Sequence, residues 1–398
     1  MFYTRLWSVS LLFFLALFGK INQLYSLETD SEMHHKICLN MIVKNESHVI
    51  KRCLDSVKNL IDYWMIIDTG STDDTKKIIL EELKDIPGQL IERPWKDFGY
   101  NRTEALILAK NKAEYLLFID ADDALDCTED FALPDLTYDA YVLPWVHKSH
   151  FQFSYLKPQL VKASLPWHWV GVLHEYLICD RYFSQILLEN IRYIYGNDGA
   201  RSQDPHKYKQ ACKILEEGLK EEPNNSRYLF YLAESYRCAN KKEKALVTYQ
   251  KSAAMKGWEE EIYWSLLQVA HLQKSLSFPK EEIIKSYLKA FESRPHRPEA
   301  VYFLAEMYNQ NKQFKNAYHY IKQWLLLPQP EQKDALFSLD WIEQFGLTFQ
   351  LSICSYYLGF YQESLEACDL LLEMDFLPES FKNQTISNRA FPLQFCKN

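Results

Sequence analysis

The run Tyr115-Leu116-Leu117-Phe118-Ile119 gives way to Asp120-Ala121-Asp122-Asp123, so five apolar residues end in three carboxylates within four positions. Such a run is too short for an independent helix and reads as a buried strand. Its acids then emerge at the carboxyl end of the strand, the edge where open α/β sheets bind ligands. Carboxylates this close raise each other's pKa unless a cation compensates. Oxygen-only ligands favour a hard divalent ion, Mg2+ or Mn2+. Taken alone, the same residues also suit a solvated loop after a core strand. The residues upstream decide between the two.

Ile37 to Val43 is nearly continuous apolar sequence, as in a strand buried on both faces, and it breaks at Lys44-Asn45-Glu46. Val49, Ile50, Cys53, Leu54, Val57 and Leu60 then follow a helical period. A second strand, Tyr63 to Ile67, ends at Asp68. Thr69-Gly70-Ser71-Thr72-Asp73-Asp74 reads as a turn of capping residues before a helix carrying Ile78, Ile79 and Leu83. A short third strand begins at Leu90, and a helix over about residues 100–110 leads into the acidic strand end. Strands alternating with helices predict a parallel sheet with right-handed crossovers. Its carboxyl edge would then gather Asn45-Glu46, Asp68 and Asp120-Ala121-Asp122, and such a gathering is better explained by an active site than by three unrelated turns.

Composition narrows the class. The chain has 398 residues, 47% of them hydrophobic and 25% charged, which is globular material with room for two or three domains. A net charge of −8 argues against nucleic acid as a partner, because phosphate contacts need a basic surface. Neither a P-loop nor a G-x-G-x-x-G fingerprint is present, so a bound diphosphate would rely on a metal and basic side chains. Arg102, opening the helix before the acidic strand, is a candidate for that contact; an exposed structural arginine fits it equally well. The nine cysteines match no zinc or disulfide spacing, and Cys53, Cys354 and Cys368 sit in apolar helical patterns, which suits reduced core residues.

As a set, Asn40 to Glu46, Ile67 to Thr75 and Phe118 to Asp123 resemble, in order and spacing, the motifs of family-2 glycosyltransferases of the GT-A fold. The likeness continues more loosely through Trp167-His168-Trp169-Val170-Gly171-Val172-Leu173-His174-Glu175 and Gly199 to Pro205, as in members whose catalytic domain runs into tetratricopeptide repeats. The resemblance implies a UDP- or GDP-linked sugar donor, with Asp68 at the base and Asn45 and Glu46 nearby. It implies Asp120 near ribose and metal, Asp122 as a ligand of Mn2+ or Mg2+, and His174 as a possible third ligand. Direct displacement with inversion needs a carboxylate base. Glu175 is the first candidate and Asp123 its rival. A glycan, lipid or protein would be the acceptor.

Beyond about Asp204 only helical patterns remain. Tyr231-Leu232-Ala233-Glu234-Ser235-Tyr236 recurs 72 residues later as Phe303-Leu304-Ala305-Glu306-Met307-Tyr308, with Ala270 between them, and Ala245 maps to Ala317. Pro223, Pro295 and Pro298 punctuate the units, and Ile353 to Gly359 is a degenerate copy. A period near 34 residues predicts stacked helix pairs of the tetratricopeptide type, whose concave face is available to a protein partner or an acceptor.

The expected architecture is therefore an α/β, Rossmann-like GT-A nucleotide-sugar domain over residues 36–203, followed by an all-α tetratricopeptide-type solenoid over residues 204–398. Residues 1–35 are set apart by Arg5 and an apolar run to Gly19, which read as a signal peptide or membrane anchor plus linker. That predicts membrane association or entry to the secretory pathway, with the cytoplasmic face as the alternative. Asn45-Glu46-Ser47 and Asn101-Arg102-Thr103 are glycosylation patterns inside the expected site, which disfavours a glycosylating lumen. The competing functional reading is a non-catalytic repeat scaffold with a degenerate transferase domain; nucleotidyl transfer ranks third.

Overall fold

The computed structural model describes residues 37–128, 131–147, 153–328 and 336–396, so the signal-like segment expected over residues 1–35 lies outside it. The chain divides into two compact units. The first holds the chain up to Pro94, Thr103–His168 and Cys179–Gly199. The second holds Trp95–Arg102, Trp169–Ile178 and everything from Ala200 on. Two short segments expected to lie with the sheet thus group with the helices.

In the first unit, β1 (Ile37–Val43), β2 (Tyr63–Asp68), β3 (Gly88–Glu92) and β4 (Tyr115–Phe118) lie in the order β3-β2-β1-β4, all parallel. Strands β2, β1 and β4 are therefore adjacent, and their carboxyl ends bring the three polar clusters to one edge. Helix α1 (Ile50–Val57) follows β1, and α2 (Thr75–Glu82) follows β2. Ile50, Cys53, Leu54 and Val57 form one fully buried stripe on α1, since their spacing returns to the same face every turn. Each aliphatic side chain so buried is worth about 1.5–3 kcal/mol. Asn40 is the exception within β1, and its amide donates to the Ala105 carbonyl of α3 (Phe98–Ala109) at 2.8 Å.

Past β4 the sheet is no longer parallel. Strands β5 (Ala124–Cys127), β6 (Ala140–His147), β7 (Phe153–Lys162), β10 (Gln185–Leu187) and β11 (Ile191–Tyr195) extend it, with β7 antiparallel to both β4 and β6. The parallel arrangement expected for the strands that alternate with helices holds for β1 to β4, and the later strands make the whole sheet mixed. Only the part built from strand–helix–strand crossovers must be parallel, and among the described residues no helix separates the strands after β4. Strands β8 (Trp167–Val170) and β9 (Tyr176–Cys179) pair separately.

The second unit opens with α4 (Ala200–Gln203) and α5 (Lys207–Glu221). Helices α6 (Ser226–Cys238) and α7 (Lys242–Ala253), α8 (Glu259–Ser275) and α9 (Lys280–Ser293), and α10 (Pro298–Gln310) and α11 (Phe314–Leu325) form successive pairs. The recurring Ala233, Ala245, Ala270, Ala305 and Ala317 are each fully buried. A methyl side chain lets two helix backbones approach, while Phe230, Tyr249, Tyr263 and Tyr287 fill the wider layers between. The degenerate copy becomes α12 (Leu347–Tyr357) and α13 (Tyr361–Leu372), with Cys354, Ser364 and Cys368 buried, and α14 (Glu379–Arg389) follows. Among the described residues no helix is long and apolar enough to cross a membrane.

Candidate active site

The loops after β1 and β2 are knitted into one surface. Gly70 adopts φ +107°, a backbone state that an L side chain resists, and the turn folds back over Asp68. The amides of Gly70 and Ser71 donate to Asp68 Oδ1 at 2.9 and 2.8 Å. Its other oxygen, Oδ2, is buried without a hydrogen-bond partner. Asn45, at φ +57°, receives the Thr72 amide on Oδ1 at 2.8 Å and donates its own amide to Ser71 Oγ at 2.9 Å. The Glu46 amide donates to Thr75 Oγ1 at 2.8 Å. Burial pushes the Asp73 carboxyl up, but hydrogen bonds from Thr75 and Ser47 outweigh that and hold it at about 2.

The acids after β4 divide by role. Asp123 is buried, with Tyr193 donating its hydroxyl to Oδ2 at 2.5 Å and Gly196 its amide to Oδ1 at 2.7 Å. Burial, then the charges of Asp120 and Asp122, push this carboxyl well above the usual range. The Tyr193 hydroxyl also accepts the Asp120 amide at 3.1 Å, and its ring stacks on Trp145 at 4.0 Å. With both oxygens engaged inside the fold, Asp123 has the surroundings of a brace for the turn and not those of a base facing an acceptor. Asp122 is half-buried, receives the Gly199 amide on Oδ2 at 3.2 Å, and is pushed up by burial and then by Asp120.

Arg52 of α1 reaches the same turn. Its guanidinium pairs with both oxygens of Asp198, at 2.7 and 2.8 Å, and donates to the Asp122 carbonyl. No motif in the sequence marks Arg52, Tyr193 or Asp198. Each lies far from the acids in the chain and within no motif, so only the fold brings them together.

The remaining expected residues belong to the second unit. Arg102 Nε donates to Glu175 Oε1 at 2.7 Å, and its guanidinium lies 5.1 Å from the Trp169 ring centre. His174 adopts φ +55°, stacks its ring on Tyr231 at 3.9 Å, and offers its carbonyl to Arg227 Nη2 at 3.0 Å. Gly171 (φ +111°) shapes this turn, and its carbonyl receives the Gly99 amide at 3.1 Å. A Cβ at Gly99 would sit 2.4 Å from that oxygen, so only glycine allows the approach. Asn101, of the second glycosylation pattern, is fully buried and accepts the Lys96 amide on Oδ1 at 3.0 Å. Arg201 lies 5.1 Å from the Phe98 ring centre, and burial pulls its pKa down.

A divalent ion suits the acidic turn in chemistry. Asp120 and Asp122 supply hard oxygen donors, and the raised Asp122 carboxyl marks negative charge that a cation would relieve. Among the described residues no group of three or more His, Cys, Asp or Glu side chains is arranged to hold a metal. Two carboxylates with donor phosphates and water are nonetheless a usual environment for Mg2+.

Residues 38–129, which hold the parallel part of the sheet and its acidic turn, match the family model described as Glycosyl transferase family 2. A helical repeat region follows them in the chain. The SPbeta prophage-derived glycosyltransferase SunS of Bacillus subtilis is 26% identical over 228 residues, 54% of this chain and 53% of that protein. An uncharacterized glycosyltransferase of Rickettsia prowazekii is 38% identical over 90 residues, 23% of this chain and 29% of its own length. The match thus spans about half the length of SunS and less of the Rickettsia protein. Among solved structures, TarS of S. aureus aligns at 14% identity over 65% of this chain and 53% of its own, with a TM-score of 0.35. YrrB, a TPR protein with an unusual peptide-binding site, aligns at 16% identity over 46% of this chain and 84% of its own, with a TM-score of 0.36.

Proposed function

We propose that the protein transfers a sugar from a UDP- or GDP-linked donor to a hydroxyl-bearing or other nucleophilic acceptor, with inversion at the anomeric carbon. The observation that carries this reading is the adjacency of β2, β1 and β4, which gathers Asp68, Asn45-Glu46 and Asp120-Ala121-Asp122 at one edge of a family-2 domain. Asp68 is rigidly held on one oxygen and lacks a donor on the other, so a base N–H would complete it. Asn45 and Glu46 fix the floor beside it. Asp120 would face the ribose, and Asp122 with Asp120 would hold Mn2+ or Mg2+. The bound ion would supply Lewis-acid neutralisation of the departing diphosphate.

The His174 ring stacks on Tyr231, and the ligands proposed first are the two aspartates. Glu175 is the proposed base, with its Oε1 oriented by Arg102 Nε. Arg102 then acts through Glu175 and does not clamp phosphate. The acceptor is a glycan, lipid or protein, and the helical repeats are proposed to present it or to dock a protein partner. The apolar run within residues 1–35 supports association with a membrane or the secretory pathway, and fractionation of the full-length chain tests it. The transferase reading is tested by incubating the protein and Mn2+ with a panel of sugar nucleotides and following release of nucleoside diphosphate. One donor should be turned over by the wild type and not by Asp122→Ala. No turnover of any donor, with or without acceptors from the source cell, would leave the scaffold reading in its place.

A further inference from the structure

Asp122 is held from two sides by a loop that is itself clamped. The loop following β11 contributes the Gly199 amide to Asp122 Oδ2 at 3.2 Å and the Gly196 amide to Asp123 Oδ1 at 2.7 Å. It lies so close that a Cβ at Gly196 would fall 2.3 Å from the Asp122 carbonyl oxygen, and one at Gly199 would fall 2.7 Å from Asp122 Oδ2. Between the two glycines sits Asp198. Both of its carboxylate oxygens are taken by the Arg52 guanidinium, and its carbonyl lies 2.8 Å from His48 Nε2. Arg52 completes the circuit by donating to the Asp122 carbonyl.

We infer that Arg52, with Asp198 as its partner, is a positioning residue for Asp122: it locks the Gly196–Gly199 loop against the acidic turn and so fixes the direction in which the Asp122 carboxylate points. The inference deepens the proposed function and rests on its reading of Asp122 as a metal ligand. A planar guanidinium suits this task because it can grip a carboxylate with two parallel N–H groups and still present another N–H to a carbonyl. Lysine offers one compact charge and cannot hold all three oxygens in a fixed plane. The exposed ion pair itself contributes little to stability, as half-exposed pairs generally do. Its consequence is directional. Without Arg52 the loop can lift, Asp122 Oδ2 loses its amide donor, and the carboxylate is free to rotate.

Partners that orient metal ligands from behind typically change metal affinity by about 10–100-fold when removed. The test is therefore Mn2+ binding at saturating UDP or GDP, read by the loss of the free-ion electron paramagnetic resonance signal, for the wild type, Arg52→Ala, Arg52→Lys and Asp198→Asn. The melting temperature of each is recorded beside it. Arg52→Ala should weaken Mn2+ by about 10-fold or more, with Arg52→Lys and Asp198→Asn between it and the wild type. The melting temperatures should move by only a few degrees. Should Arg52→Ala fail to fold, the graded losses in the two conservative variants carry the test. Mn2+ affinities equal to wild type in the folded variants, whatever their melting temperatures, would overturn the positioning role. A wild type that binds no Mn2+ with either nucleotide would instead remove the metal reading beneath it.

Discussion

Arg102 and Glu175 face each other at 2.7 Å with each side chain only 11% exposed. The guanidinium that looked available for phosphate and the carboxylate that looked available as a base are partners. Removing one member of such a pair strands the other's charge and costs about 3–5 kcal/mol, whereas replacing both by apolar groups costs far less. Arg102→Ala should therefore be destabilised by about 3 kcal/mol, and Arg102→Met combined with Glu175→Leu should recover most of that loss in urea unfolding. Glu175→Gln separates catalysis from stability. A base role predicts a fall in kcat of about 100-fold or more in the folded variant, at a temperature below its lowered melting point. Unchanged kcat with lowered stability would assign Glu175 to the fold alone.

Asp123 leads to the opposite expectation. Its oxygens accept from the Tyr193 hydroxyl and the Gly196 amide; an asparagine keeps the Gly196 contact through Oδ1 and can donate from Nδ2 to the Tyr193 oxygen in place of accepting from it. Asp123→Asn should retain turnover within a few-fold. Asp123→Ala leaves a buried hydroxyl and a buried amide short of a partner and should cost about 1–3 kcal/mol, measured by denaturant midpoint. A loss of about 100-fold in kcat for Asp123→Asn, with stability intact, would restore it as the base.

The helical unit carries its own pH dependence. His271 Nδ1 lies 2.9 Å from the Tyr287 hydroxyl, and burial, then the charges of Lys274 and Arg237, lower its pKa from 6.5 to about 4. The unfolded chain therefore takes up a proton before the folded one does. The stability that His271 contributes is complete above about pH 6.5 and is lost as pH falls from there toward 4. Between pH 7.5 and pH 5 this one group should cost about 2 kcal/mol. The unfolding midpoint of His271→Gln should be flatter over that window than the wild type's. Parallel pH curves for the two proteins would refute the assignment.

Buried charge in the same unit gives a further test. Arg297 pairs with Glu260 and with Glu299, the latter at 2.8 Å, and all three side chains are buried. Tyr263 adds its hydroxyl to Glu299 at 3.0 Å, and the backbone amides of Leu336 and Leu339 donate to the two carboxylates. Arg297→Met would leave Glu299 buried without its cation and Glu260 with Arg294 alone, and should cost about 3–5 kcal/mol. The melting temperature of that variant, set against Arg297→Lys, measures it.

The parts of this fold that were readable in the chain are those with short-range physical signatures. The apolar runs of β1, β2 and β4, the helical stripe of α1 and the recurrence of Ala233 as Ala270 and Ala305 each follow from local spacing. Asp68 and the Asp120–Asp123 cluster were visible because a carboxylate at the end of a buried strand is costly without a use. The mixed half of the sheet was not visible, since among the described residues β5 to β11 lack the intervening helices that make topology readable. The Arg52–Asp198 clamp and the Tyr193 brace were hidden for a different reason. They join residues separated by 146 and 70 positions, and no local pattern records such pairings.

The central claim is that the acidic turn after β4 binds a nucleoside diphosphate through a divalent ion held by Asp122. Isothermal titration calorimetry of UDP and GDP into the wild type and Asp122→Ala, each with Mn2+ and with EDTA, tests it most directly. One nucleotide should bind the wild type with Mn2+, EDTA should weaken this binding by about 10-fold or more, and Asp122→Ala should bind equally weakly with or without the ion. Equal affinity in all four conditions, or no binding of either nucleotide, would contradict it.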